Sequence, residues 1–210
     1  MLALLAALPA PATAVARGQT STQEHLPAAV AAGAATPAAR RMAGWAMATD
    51  DTHGRPFVVV DKLAARVFAF DRRGNLVGAA PALLGLARGD DNSPGIGMLP
   101  LAEISPAQRI TPAGRYEAHL GANIAGHRIL WVDYDAALSL HPVVTNNVAE
   151  HRLRRLATAS ILDNRISYGC INVPAGFYEH VIAPLFAAAD GIVYILPETR
   201  PLDSLLQPSG

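Results

Sequence analysis

The chain has 210 residues, 51% of them hydrophobic, enough for one substantial domain whose core needs neither disulfides nor metal. Lys+Arg and Asp+Glu number 17 each, so the formal charge is zero and the basic excess of a nucleic-acid binder is missing. Cys170 is the only cysteine, so no disulfide can form within the chain.

The first residues, MLALLAALPAPATAVARG, join an apolar run to small residues in A-x-A spacing at Ala14-Val15-Ala16. That pattern reads as a secretory signal over residues 1–16, although no Lys or Arg precedes the run. Pro9 and Pro11 interrupt it, and a membrane span would need roughly eighteen continuous apolar residues. Export is expected, without a transmembrane segment. Residues 17–54, rich in Ala, Thr, Gln and Pro, read as a linker with a short helix around Ala38–Ala48.

From Arg55 the texture becomes β-rich. Phe57–Asp61 and Arg66–Phe70 read as strands, followed by a turn at Arg72-Arg73-Gly74-Asn75 and a third apolar run from Leu76. Residues 86–110 are loop-rich. Pro112 and Gly114 make a turn before a strand over Arg115–Leu120, and Arg128–Tyr134 and Ala137–Leu140 are further strands. Residues 146–160 are helical or loop-like, with a basic run at Arg152, Arg154 and Arg155. A helix is expected from Pro174, where proline suits a first turn, and a last strand in GIVYILPE. Residues 199–210 remain as a C-terminal tail. Many short strands with two minor helices predict a mostly β domain with minor α, a barrel or sandwich. Trp131 and Tyr134 are assigned to its core.

An unpaired thiol in an oxidising compartment invites oxidation, which turns attention to the neighbours of Cys170 in ISYGCINV. A thiolate attacks a carbonyl only when a nearby group takes its proton, usually a histidine. Among seven histidines, His141 stands out because it ends the apolar strand ALSLHPV, with Pro142 closing it. No His/Cys cluster has the spacing of a metal site, and no cofactor is implied.

TPAGRY, SLH, SYGCIN and GIVYILP, in this order, resemble the L,D-transpeptidase catalytic domain, often called the YkuD domain. The resemblance spans roughly Arg55 to Pro197, so a catalytic domain is expected over residues 55–198. It implies that Cys170 is the nucleophile and His141 its base, with Ser167, Gly169 and Asn172 completing the signature. Tyr168 stands where the family has a second histidine, Pro142 follows His141 where many members have glycine, and the segment from His141 to Ser167 is longer. A tyrosine can serve there by packing its ring and donating its hydroxyl to a backbone carbonyl.

The implied chemistry is attack of Cys170 on a donor peptide amide to give a thioester. His141 is base and then acid to the leaving amine. The oxyanion would be held by the backbone N–H of Cys170 and of Gly169 or Tyr168, in the tight turn that Gly169 permits. Arg152 and Arg155, with Tyr168, are candidates for binding substrate, the arginines through stem-peptide carboxylates. Peptidoglycan stem peptides are the implied donor and acceptor, and the expected place of action is the periplasm or exterior, at the cell envelope, as a monomer. Two other readings stay open. Water could take the acyl group, giving an L,D-carboxypeptidase or endopeptidase; or the fold could be kept as a catalytically weak wall-binding protein.

Overall fold

The structure, a computed structural model, describes residues 35–206. The expected leader and the first half of the linker lie outside the described residues. Ten strands form most of the body: β1 (Phe57–Asp61), β2 (Arg66–Phe70), β3 (Leu76–Pro81), β4 (Leu84–Gly85), β5 (Gly114–Ala122), β6 (Arg128–Asp133), β7 (Leu138–Pro142), β8 (Arg165–Ser167), β9 (Ile171–Val173) and β10 (Gly191–Ile195). The domain is mostly β with short helices, as its sequence texture predicts.

Eight strands share one sheet in the order β3-β2-β1-β10-β5-β6-β7-β9. Pairing is antiparallel except for β1 with β10 and β7 with β9. The two ends of that sheet meet. Leu83, just past β3, exchanges both backbone hydrogen bonds with Asn172 of β9, N–H to O at 2.8 and 2.9 Å. The two-strand ladder of β4 with β8 extends the same seam. Closure into a barrel therefore runs through Asn172, two residues after the cysteine.

Strands β1, β2 and β10 are buried almost throughout, because both of their faces are covered. Val58, Val60, Val67, Ala69, Val193 and Ile195 point into the main core, where Phe177, Ile182 and Phe186 also pack. Their alternate neighbours Phe57, Val59, Phe68, Phe70, Ile192 and Tyr194 face a second core, with Phe57 stacked on Phe70 at 4.8 Å. The helix closing the main core starts after Pro174 in three pieces, α2 (Ala175–Phe177), a π turn (Tyr178–Ile182) and α3 (Ala183–Ala187).

The second core corrects the expected linker. Helix α1 (Pro37–Ala48) lays Ala39, Met42, Ala43 and Ala46 against the strands, and Thr36 caps it by accepting from the Ala39 N–H. Residues 35–54 belong to the folded body. The tail is likewise drawn in: Leu202, Leu205 and Leu206 pack on the same core, and the Thr199 and Arg200 amides donate to Asp90.

Candidate active site

Parallel pairing of β7 with β9 brings His141 and Cys170 together. Its register sets Leu140 beside Ile171 and His141 beside Asn172. Leu140 and Ile171 point into the core, so by strand alternation Ser139, His141, Cys170 and Asn172 share the outer face. Cys170 sits half-buried at the entrance to β9. Its Sγ lies 3.5 Å from Ser139 Oγ and 3.5 Å from the Ala137 carbonyl.

Cys170 and His141 act on one another electrostatically. Burial penalises the thiolate, yet the neighbouring His141, with help from Ser139, brings the thiol below its usual pKa. Burial also penalises the imidazolium, yet Cys170 and the Pro142 carbonyl raise His141 above its usual value, against an opposing push from Arg152. His141 Nδ1 is 2.7 Å from the Pro142 oxygen. A carbonyl can only accept, so Nδ1 carries the hydrogen and Nε2 is left to deal with the sulfur.

The turn before β9 is stapled at several points. Ser167 Oγ donates to the Cys170 carbonyl at 2.7 Å and accepts from the Gly169 N–H at 3.1 Å. Gly169 has φ +135°, and a Cβ there would stand 2.8 Å from the Ile110 carbonyl oxygen. Only glycine fits both demands. The Gly169 amide is thus spent on Ser167, whereas the amides of Tyr168 and Cys170 make no hydrogen bond among the described residues.

Thr111 holds the turn from behind. Its buried hydroxyl donates to the Gly169 carbonyl at 2.7 Å and accepts from the Gly85 amide at 2.8 Å. The Thr111 carbonyl in turn accepts from Lys62 Nζ at 2.8 Å. Lys62 is fully buried, and its three donors go to Thr111, Gly89 and Asp90. Burial lowers its pKa, opposed by Asp90 and Glu198.

The remaining expected site residues separate. Arg152 comes to the site: its Nη1 donates to Asn172 Oδ1 at 2.6 Å and its Nε to Glu150. Asn172 Nδ2 then faces the Cys170 carbonyl and His141 Nε2, each at 3.3 Å. Arg155 instead donates to the carbonyls of Glu150 and Asp163, tying down its own segment. The donors expected to meet substrate carboxylates are thus engaged with the protein itself. Tyr168 carries the Arg109 guanidinium 4.0 Å above its ring centroid, and its hydroxyl makes no bond to a backbone carbonyl among the described residues. His180 is exposed on the π turn, away from these contacts.

Sequence reasoning missed Ser139, Thr111 and Arg109. Ser139 could have been found as the residue two before His141, on the same strand face. Beside the sulfur opens a cavity of about 90 Å³, walled by Ile96, Ile104, Ile110, Leu138 and Tyr168. Among the described residues no three His, Cys, Asp or Glu side chains gather as a metal site. No helix there is long and apolar enough to cross a membrane.

No protein-family model matches the chain, and no curated protein is similar to it. Solved structures do resemble it. The helical cell shape determining protein Pgp2 from Campylobacter jejuni aligns with 70% of this chain and 49% of its own, at 16% identity and a TM-score of 0.43. Its K307A mutant gives 15% identity over 70% of this chain and 48% of that one, at 0.42. The LD transpeptidase LdtMt1 in complex with imipenem aligns with 67% of this chain and 58% of its own, at 14% identity and 0.36. The chain therefore spans about half the length of Pgp2.

Proposed function

We propose that this chain is an exported cysteine acyl-transferase of the L,D-transpeptidase type, acting on the stem peptides of peptidoglycan. The observation that carries the reading is the Cys170–His141 pair, set by the parallel register of β7 and β9 and found in a sequence that resembles the family's signature. In acylation the Cys170 sulfur attacks the donor carbonyl and forms a C–S bond. The amide C–N bond breaks, and the leaving amine takes the proton from His141 Nε2. The Cys170 and Tyr168 amides support the oxyanion. In the second half an acceptor amine adds to the thioester and the C–S bond breaks. His141 takes the amine's proton, restoring the thiolate and imidazolium. A wall-binding protein without chemistry would have no use for a thiol and an imidazole that shift each other in this way.

Intact-mass analysis after exposure to a stem tetrapeptide or to a carbapenem tests the reading. One acyl group should add per chain, and none to Cys170→Ala. A folded wild type that stays unmodified by both would refute it.

A further inference from the structure

Trp131 and Tyr134, assigned by sequence to the core, stand at the surface. Trp131 is half-buried and Tyr134 is 71% exposed, with ring centroids 4.6 Å apart and planes tilted by 48°. Trp131 pairs in register with Ser139, and Ser139 touches the Cys170 sulfur. Trp131, Ser139 and Cys170 thus sit side by side on neighbouring strands of one outer face. Two strand spacings, about 10 Å, separate the indole from the nucleophile. The indole lies against β5, where a Cβ on Gly121 would come within 2.7 Å of its Cδ1. Glycine there lets the ring lie on the neighbouring backbone and turn a face outward.

These rings floor an open groove of about 710 Å³ whose walls include Met98, Ile124, Asn123 and Asp135. It shares Gly97 and Ala137 with the cavity beside Cys170. Its size lies in the range of small-molecule sites and exceeds what a single ammonium group fills. Strand β6 is hydrogen-bonded on both sides, to β5 and to β7, so it offers no free edge on which a peptide could add as a strand. Asp135 is the only charged side chain in the lining. Asn123 Oδ1 already accepts from the His127 amide, which leaves its NH2 free to donate. The groove therefore offers aromatic faces and, in Asn123 and Asp135, a donor group and an acceptor group.

That set matches a saccharide. The ring C–H groups of a sugar carry partial positive charge and lie on the negative faces of aromatic rings. Its hydroxyls both donate and accept, and so can satisfy Asp135 and Asn123 together. We infer that the Trp131–Tyr134 groove binds a glycan strand, so that the small cavity takes the peptide while the groove takes the sugar chain bearing it. The inference rests on the peptidoglycan reading of the Cys170 site for this arrangement, and extends it from peptide to polymer.

The test is sugar binding, which needs no chemistry at Cys170. The chain has two tryptophans, Trp45 and Trp131, and the intrinsic fluorescence of the full chain is titrated with a tetramer of N-acetylglucosamine. The wild type should give a saturable change that Trp131→Phe abolishes. Tyr134→Ala, at an exposed position, should bind about tenfold more weakly, as should Asn123→Ala. Cys170→Ala should bind like the wild type, so a failure of acylation would count against the function above and leave the groove untouched. Absence of a Trp131-dependent response to the sugar overturns the inference. So does a response to a lysine-bearing peptide in place of the sugar, which would make the groove a site for an amine.

Discussion

Arg152 donates to Asn172 Oδ1 at 2.6 Å, and that bond decides which way the Asn172 amide faces. Arginine only donates, so the oxygen must point to it and the NH2 to the Cys170 carbonyl; His141 Nε2, also near the NH2, accepts from it only while the imidazole is neutral. A residue expected from sequence to meet substrate thus holds Asn172, a neighbour of Cys170 and His141. Arg152→Gln should slow Cys170 acylation by about tenfold or more, the scale of one charge-assisted hydrogen bond at about 1.5–3 kcal/mol. Arg152→Lys should recover part of the loss. A single-turnover rate with a fixed acylating agent measures both, and an unchanged rate in Arg152→Gln would remove Arg152 from the site.

Thr111 bridges the turn before β9 to β4 through one hydroxyl, which both donates and accepts in a buried setting. Thr111→Val keeps the shape but strands the Gly85 amide and the Gly169 carbonyl. Each unpaired buried group costs about 1–3 kcal/mol, so thermal unfolding should shift down by several degrees. Thr111→Ser keeps the hydroxyl and should hold both stability and acylation near wild type. An unchanged melting temperature in Thr111→Val would show that these hydrogen bonds do not hold the turn.

Tyr168 works through its ring. With Arg109 4.0 Å above the ring centroid, Tyr168→Phe keeps the contact and should change stability by about 0.5 kcal/mol or less. Tyr168→Ala and Arg109→Ala each lose it. A double-mutant cycle should return a coupling of about 0.5–2 kcal/mol between them, measured by denaturant unfolding. Zero coupling would reduce the stacking to coincidence.

The legible parts of this molecule are those written locally. Phe57–Asp61 and Arg66–Phe70 have the predicted bounds because β-branched and aromatic runs are flanked by turn residues. Cys170 and His141 could be named because their residue types carry chemistry. Strands β4, β8 and β9 were missed because two or three residues carry no period; barrel closure makes them strands. Helix α1 was expected within a linker and its docking on the sheet was missed, because its buried face is mostly alanine, whose small side chain marks no apolar stripe and yet allows close approach. Thr111 and Arg109 lie some sixty residues from the turn they support, a relationship that exists only after folding. Trp131 misled because its apolar character suggested the core, while its register beside Ser139 puts it on the outer face.

The central claim is that Cys170 and His141 form a thiolate–imidazolium pair, and the ultraviolet absorbance of the thiolate, followed against pH, tests it most directly. The Cys170 pKa lies below its usual value and the His141 pKa above, so both shifts favour the charged pair. Acidification should quench the thiolate below the usual thiol range. Alkalinisation past the raised His141 value should leave the thiolate but remove the acid needed by the leaving amine, giving a bell-shaped acylation rate. In His141→Ala the absorbance step should move up toward an ordinary buried thiol, and acylation should fall by about a hundredfold or more. A wild-type step at or above the ordinary thiol pKa, unmoved by His141→Ala, would contradict the pair and the catalytic role built on it.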